Sequence, residues 1–249
     1  MAKKNKIIAI SLSVLTVTAL LVIGCAVYLG DYYRADTAAV EAFVTDRGVE
    51  PIRTDSGDIA FIPDEAVAGF IFYPGGKVEH LAYAPLMSEL ATHGILCVIV
   101  EMPFNLAVLD SDAADGIIDA YPEIDSWYIG GHSLGGSMAA AYVADRADDY
   151  DGLVLLGSYS TADLSESGLR VLSIYGSEDR VMNCEKYEKY KGNLPSSFIE
   201  QVIDGGSHAY FGMYGLQDGD GSAAISNEEQ ICVTADTIAK MLSTADIER

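Results

Sequence analysis

The chain has 249 residues, half of them hydrophobic, which is enough for one large domain and a short additional segment. Its 37 acidic residues outnumber 15 lysines and arginines, and the net charge of −22 argues against a nucleic-acid partner, because phosphate binding needs clustered basic side chains. The same charge disfavours a strongly anionic substrate and is typical of a well-solvated surface.

The first thirty residues have the pattern of a membrane anchor. Three lysines precede the uncharged run Ile7 to Leu29, which as a helix is long enough to cross a hydrocarbon core of about 30 Å. Basic residues before the run and Asp31 after it predict a cytoplasmic N-terminus, with the rest of the chain outside. We therefore expect a single-pass membrane protein with an extracytoplasmic domain.

Two other interpretations of this segment stay open. A cleaved signal peptide would have a shorter apolar region. The stretch from Val22 to Cys25 resembles the lipobox of bacterial lipoproteins, although the chain stays apolar after Cys25. An uncleaved signal anchor ranks first and a lipoprotein second. The predicted organisation is an anchor at 1–30, a juxtamembrane helix or linker at 31–50 and an α/β domain at 51–249.

Strands and helices alternate along the rest of the chain. A helix is expected over Asp36–Thr45 and an early strand or hairpin over Ile52–Pro63. Short apolar runs predict the strands Val67–Tyr73, Ile95–Val100, Trp127–Gly130, Leu153–Leu156, Val171–Tyr175 and Phe198–Val202. Helices are predicted over Tyr83–His93, Asp112–Tyr121, Leu134–Ala147, Cys184–Lys191 and Glu228–Leu242. This alternation predicts a mostly parallel sheet flanked by helices, with the site at the carboxyl ends of the strands.

One stretch has the pattern of a strand, a sharp turn and a helix. Gly131-His-Ser-Leu-Gly135 fits G-x-S-x-G, the pattern of a nucleophile elbow, in which Ser133 occupies the apex of a strained turn. Glycines are needed two residues before and after the serine because the strand and helix would otherwise collide. The turn exposes the hydroxyl of Ser133 at the N-terminus of a helix, where free N–H groups favour an anion.

Four motifs together resemble the α/β-hydrolase superfamily, in particular its small lid-less group of dienelactone-hydrolase-like and family-5-type serine hydrolases. The motifs are Tyr73-Pro-Gly-Gly-Lys-Val78, Gly131-His-Ser-Leu-Gly-Gly136, Tyr175-Gly-Ser-Glu-Asp-Arg-Val181 and Gly205-Gly-Ser-His-Ala209. The resemblance covers about residues 67–242 and implies an α/β-hydrolase fold with a Ser-His-Asp triad.

The resemblance implies the chain order serine, acid, histidine for this triad. Of four histidines, His80 and His93 precede Ser133 and His132 belongs to the elbow, which leaves His208, in a loop after the last strand, as the base. Asp179 follows the strand Val171–Tyr175, where the family has its acid. Glu178 could substitute for it, and Asp204 is too close to His208 in sequence to be preferred.

The oxyanion of the tetrahedral intermediate needs N–H donors. We expect one from Leu134, directly after the nucleophile, and one from the Gly75–Lys77 loop, where the resemblance indicates Gly76 or Lys77. The sequence does not decide between these two residues.

Other residues are candidates for substrate binding. Glu101, at the end of a strand, either contacts substrate or caps the following element. Tyr210 and Phe211 belong to a glycine-rich aromatic loop that could form a wall of the pocket. Asp218 and Asp220 in the same loop lack the remaining ligands of a calcium loop and are interpreted as turn residues.

No metal or cofactor is expected. Cys25, Cys97, Cys184 and Cys232 form no C-x-x-C or Cys/His cluster. Whether Cys184 and Cys232 form a disulfide is left open.

The predicted function is a membrane-anchored, extracytoplasmic serine hydrolase that cleaves carboxylic esters. Only residues 157–169 separate two predicted strands where a lid is usually inserted, so an open site for small or water-exposed esters is expected. An acyltransferase, a thioesterase, a peptidase and a catalytically silent binding module remain alternatives.

Overall fold

The computed structural model describes residues 2–243, with side chains from residue 12 on. Residue 1 and residues 244–249, which belong to the predicted segments 1–30 and 51–249, lie outside the described residues. The chain divides into two compact units, one up to Tyr32 and one from Tyr33 on. The first unit is helix α1 (Ala2–Gly30), and its part Leu12–Gly30 is a candidate membrane span by length and composition.

The second unit alternates strands and helices. Its strands are β1 (Pro51–Arg53), β2 (Ile59–Phe61), β3 (Ala68–Tyr73), β4 (Ile95–Ile99), β5 (Trp127–His132), β6 (Gly152–Leu156), β7 (Arg170–Gly176) and β8 (Ile199–Ile203). Its α-helices are α2 (Thr37–Arg47), α3 (Ala84–Thr92), α4 (Ile117–Ala120), α5 (Leu134–Ala144), α6 (Cys184–Tyr190) and α7 (Asn227–Ser243).

The eight strands form one sheet in the order β1-β2-β4-β3-β5-β6-β7-β8. The pairs β1/β2 and β2/β4 are antiparallel, and all pairs from β4 to β8 are parallel. The predicted mostly parallel sheet with flanking helices is confirmed. The parallel strands bring the loops after β3, β4, β5, β7 and β8 to one edge of the sheet.

The sheet is buried on both faces. In β3, Phe70 and Phe72 pack into a core that includes residues of α2, α3 and α7, whereas Ile71 and Tyr73 pack into a second core that includes residues of α4 and α5. All four side chains are fully buried. This burial on both faces explains why the strand is a continuous apolar run in sequence, and each such side chain contributes about 1.5–3 kcal/mol of stability.

Helix α2, in the segment predicted as a juxtamembrane linker, contributes to the core of the second unit. Asp36 caps its N-terminus by accepting a hydrogen bond from the Ala39 amide at 3.1 Å. The side chains of Val40, Phe43 and Val44 are buried against the core. Part of the predicted linker at 31–50 is therefore integral to the globular unit.

The helix predicted over Asp112–Tyr121 is too long, because only Ile117–Ala120 forms an α-helix, α4. Gly116 precedes α4 in the left-handed conformation, with φ 79°, and this conformation interrupts a right-handed helix. The Ala114 amide instead donates to the Tyr73 hydroxyl at 3.0 Å. A tertiary hydrogen bond that the local sequence does not encode thus replaces a helical one.

The connection from β6 to β7 contains no insertion. Residues 157–169 form no α-helix or strand, and Leu164 is tied to the Asn193 carbonyl at 2.7 Å. Within the described residues, no cap therefore arises from this connection.

Candidate active site

Ser133 lies at the apex of the turn from β5 to α5. Its φ of 53° and ψ of −121° are strained values for a residue with a side chain, and such strain is concentrated at functional sites. The Ser133 amide donates to the Leu156 carbonyl at 2.9 Å, which ties the turn to the end of β6. The Ser158 hydroxyl donates to the Ser133 carbonyl at 2.7 Å. Ser133 itself is half-buried, so solvent reaches the turn.

The glycines of the turn are required by close approach of the backbone. A Cβ atom at Gly131 would lie 2.5 Å from the Tyr73 carbonyl oxygen. At Gly135, a Cβ would collide with the carbonyl oxygens of Tyr73 and Pro74. A Cβ at Gly131 would also lie 2.7 Å from the backbone of Gly135, which is the strand–helix collision expected from the sequence. The close approach of both glycines to the end of β3 is an additional constraint that the sequence does not indicate.

The sheet brings Asp179 and His208 together from loops after β7 and β8. The distance from Nδ1 of His208 to Oδ2 of Asp179 is 2.7 Å, and the two side chains are each 1% exposed. Arg180, the residue after Asp179, pairs with Glu178 at 3.5 Å. The predicted base and acid are therefore in direct contact.

Backbone amides hold the Asp179 carboxylate in one orientation. Its Oδ1 accepts hydrogen bonds from the amides of Val181 at 2.9 Å and Met182 at 2.8 Å. Oδ2 is left for Nδ1 of His208, which must carry a hydrogen to donate to a carboxylate. The lone pair of Nε2 is then available as a base.

The Nε2 atom of His208 is buried and has no hydrogen-bond partner within the described part of the chain. No hydrogen bond joins it to the Ser133 hydroxyl among these residues. The two loops are nevertheless adjacent, because the rings of His208 and His132, the neighbour of Ser133, have centroids 4.4 Å apart. Hydrogen bonds of catalytic groups are often long without substrate and tighten when it binds.

The His132 side chain is buried and forms a hydrogen bond within the protein. Its Nδ1 forms a 2.8 Å hydrogen bond with the Tyr83 hydroxyl, which also accepts the Gly75 amide hydrogen at 3.1 Å. Burial, and secondly the neighbouring His208, lower the pKa of His132 well below its ordinary value, so this imidazole stays neutral. His132 thereby connects the elbow to the loop after β3.

The other two histidines, His80 and His93, have neighbours other than the Asp179–His208 pair. His80 is buried among Glu101, Arg53 and Asp58, and burial lowers its pKa. His93, at the end of α3, lies 3.3 Å from a carboxylate oxygen of Asp236.

The structure distinguishes the candidate oxyanion donors. The Lys77 amide donates a hydrogen bond to the Asn105 carbonyl at 2.7 Å, and the Gly75 amide donates one to the Tyr83 hydroxyl. Among the described residues, the Gly76 amide has no such acceptor. A Cβ at Gly76 would lie 2.8 Å from Cδ2 of Leu134, so these two candidate donors belong to adjoining residues. Of the pair Gly76 and Lys77, the geometry favours Gly76.

Two residues that the sequence did not indicate support the acid and the base. Gly157 has a φ of +52°, and a Cβ there would lie 2.9 Å from Nδ1 of His208 and 3.2 Å from Oδ2 of Asp179. Only glycine lets the backbone pack this closely against the pair. Its role depends on contacts between distant segments, and a lone glycine after a strand gives no signal of them.

The second such residue is Asp220. Its carboxylate accepts hydrogen bonds from the amides of Arg180 at 3.3 Å and Ala209 at 2.9 Å, the residues directly after Asp179 and His208. It was interpreted as a turn residue, and the structure adds that it joins the loops of the acid and the base.

The two aromatic candidates for substrate binding, Phe211 and Tyr210, differ in burial. Phe211 is fully buried and packs on the His132 ring, with centroids 5.5 Å apart, so its side chain lies in the core next to the elbow. Tyr210 is half-buried and lines a cavity of about 470 Å³ whose lining includes neither Ser133 nor His208.

Glu101 faces the hairpin of β1 and β2. Its carboxylate lies 3.7 Å from Arg53, and a Cβ at Gly57 would collide with it. The Glu101 amide donates to Asp58 at 2.8 Å. The Glu101 side chain thus pairs with the hairpin, and its proposed contact with substrate stays a prediction.

Among the described residues, no three histidines, cysteines, aspartates or glutamates are grouped so that they could hold a metal ion. Cys25, Cys97, Cys184 and Cys232 are all free thiols.

The strand order and the strand–turn–helix after β5 define an α/β hydrolase architecture. The profile of the alpha/beta hydrolase family matches residues 69–232, and the chain belongs to this family. No curated protein matches the chain in sequence.

Solved structures share the fold. The dienelactone hydrolase from Anabaena variabilis is 17% identical, with a TM-score of 0.54 over 77% of this chain and 96% of that chain. Est1E from Butyrivibrio proteoclasticus is 13% identical, with a TM-score of 0.56 over 79% of this chain and 99% of that chain. The family match supports a hydrolase, whereas the solved structures, at identities this low, show the fold alone.

Proposed function

We propose that the chain is a membrane-anchored, extracytoplasmic serine hydrolase that cleaves carboxylic esters through an acyl-enzyme. One observation carries the proposal. The strained Ser133 directly follows His132, whose ring centroid lies 4.4 Å from that of His208. His208 forms a buried pair with Asp179, and its Nε2 has no other partner among the described residues. Such an arrangement serves to activate a hydroxyl, which is a weak nucleophile by itself.

In the proposed reaction, the Ser133 hydroxyl attacks the ester carbonyl while Nε2 of His208 takes its proton. Asp179 stabilises the imidazolium, and the amides of Leu134 and Gly76 stabilise the oxyanion. Collapse of this intermediate breaks the bond to the alkoxy oxygen, which receives the proton from His208. Water then attacks the acyl-enzyme by the same steps and releases the acid and Ser133.

The short connection between β6 and β7 supports a small or water-exposed ester as substrate, because no cap encloses a long chain there. An acyltransferase, a thioesterase or a peptidase would use the same acyl-enzyme, and the acceptor and leaving group distinguish them. Rates on p-nitrophenyl esters of rising chain length test the substrate class. A preference for chains beyond about ten carbons would contradict an open site.

The proposed membrane location is based on the first unit of the chain. The span Leu12–Gly30, with Lys3, Lys4 and Lys6 before it and Asp31 after it, supports an anchor with the N-terminus in the cytoplasm. Protease added to the outer side of intact membranes tests this orientation, because it should digest the domain there. Digestion that occurs only after the membrane is permeabilised would contradict the proposed orientation.

Labelling with a fluorophosphonate probe tests the proposed chemistry. We expect the full-length wild-type chain to take one label, and Ser133→Ala to take none while remaining folded. Ser165→Ala, which removes a half-buried hydroxyl that donates to Asp163, should label like the wild type. A folded wild-type chain that takes no label would favour the catalytically silent binding module.

Asp220 provides a further prediction. Replacing it with alanine leaves the amides of Arg180 and Ala209 without their acceptor and loosens both loops. We expect kcat/KM on an ester to fall by about tenfold, which corresponds to about 1.4 kcal/mol of transition-state stabilisation lost through displacement of the two loops. Asp218→Ala is the matched control, because only its backbone amide is bonded, to Tyr33. Equal losses in the two variants would contradict the role of Asp220.

A further inference from the structure

An exposed apolar segment follows β4 at the edge of the sheet where Ser133 lies. We call residues Pro103–Leu109 the rim segment; they form two short 3₁₀ turns. Phe104 is 60% exposed, Val108 52% and Leu109 54%. Single exposed apolar side chains are ordinary, whereas three large ones within six positions are characteristic of a binding surface.

The rim segment is strained. Phe104 has φ 53° and Asn105 has φ 57°, in the left-handed region that a bulky residue such as phenylalanine rarely adopts. The Asn105 amide donates to Met102 at 2.9 Å, and the Leu106 amide donates to Pro103 at 3.0 Å, so the conformation is fixed by its surroundings. Backbone strain of this kind is concentrated at ligand-binding sites.

The rim segment also adjoins the candidate oxyanion site. The Asn105 carbonyl accepts the Lys77 amide hydrogen at 2.7 Å, which joins it to the residue after Gly76. Residues Ala107–Leu109 pack against α5, whose first residue is Leu134. The rim segment is thus next to the Gly75–Lys77 loop and to helix α5. These two elements contain the amides of Gly76 and Leu134 that are assigned to the oxyanion.

The sheet order decides which part of an ester lies at the rim segment. His208 must face the leaving oxygen, because it donates the proton to that oxygen. The loop of His208 follows β8, on one side of β5, whereas the rim segment follows β4, on the other side. The alcohol part of the substrate therefore points toward β8, and the acyl part points toward β4.

We propose that the rim segment is the acyl-binding wall of the site, with Phe104 and Leu109 in contact with an apolar acyl chain of short to medium length. This inference rests on the proposed function and specifies its substrate class as esters of apolar carboxylic acids. The net charge of −22 is consistent with this class, since it disfavours anionic acyl groups.

The test compares kcat/KM for p-nitrophenyl hexanoate and acetate, with the full-length chain in lipid nanodiscs. Full burial of a methylene corresponds to about a fourfold gain, and a one-sided wall gives less, so we expect hexanoate to be favoured roughly tenfold in the wild type. The ratio should fall to about threefold or less in Phe104→Gly and in Leu109→Ala. Phe104→Gly should also raise the melting temperature, because glycine adopts a positive φ without strain.

Val67→Ala is the matched control. Val67 is 60% exposed, like Leu109, but precedes β3 and so lies at the opposite edge of the sheet. Its hexanoate-to-acetate ratio should equal that of the wild type. An unchanged ratio in both rim variants, with esters still hydrolysed, would overturn the acyl-binding wall and leave the proposed function standing. A wild-type chain that hydrolyses no ester and takes no fluorophosphonate label would overturn both.

Discussion

Replacement of Asp179 with asparagine is expected to lower kcat by about 10⁴-fold, the loss that the equivalent change causes in a serine-protease triad. The amides of Val181 and Met182 need an acceptor and will hold the asparagine oxygen where Oδ1 now lies. The side-chain NH₂ group then faces Nδ1 of His208, which must accept a hydrogen bond instead of donating one. The ring proton moves to Nε2, and the imidazole can no longer take a proton from Ser133.

The measurement is steady-state ester hydrolysis by the full-length chain, with circular dichroism to show that the variant is folded. Glu178→Gln is the control, because this neighbouring carboxylate pairs with Arg180 at the surface. We expect Glu178→Gln to retain most of the activity. If it lost as much activity as Asp179→Asn, the acid would have been assigned to the wrong residue.

The second large effect concerns the turn itself. Gly135→Ala would drive a Cβ into the carbonyl oxygens of Tyr73 and Pro74, and backbone atoms of β3 cannot yield as a flexible side chain would. We expect a loss of at least about 3 kcal/mol in the free energy of unfolding, at the upper end of the effects of overpacking.

Thermal and denaturant unfolding of the variant measure this loss. Gly192→Ala is the matched control, since a Cβ at that glycine meets nothing within 4 Å and its φ is not in the left-handed region. Comparable stability of the two variants would show that the turn is looser than its contacts indicate.

The elbow could be predicted from the sequence because its constraint is local. Gly131, Ser133 and Gly135 lie within five residues, and steric crowding in a single turn dictates their types. The sheet could be predicted for a similar reason, since strands buried on both faces are continuous apolar runs. The helix expected over Asp112–Tyr121 failed because Gly116 adopts a left-handed conformation that helical periodicity does not reveal.

The supporting residues of the site could not be predicted, because their roles depend on distant partners. Asp220 joins loops that begin about 40 and 10 residues before it in sequence, and only the fold brings them together. The burial of Phe211 could not be predicted for the same reason. A glycine-rich aromatic loop suggests a pocket wall, yet the side chain is buried under the His132 ring.

The direct passage from β6 to β7 has a consequence for turnover. With residues 157–169 forming neither helix nor strand, that stretch supplies no moving cover to shield a covalent intermediate from bulk solvent. In the proposed mechanism, water reaches the acyl group on this side without an opening step. Such access would favour hydrolysis over transfer to a scarce second acceptor.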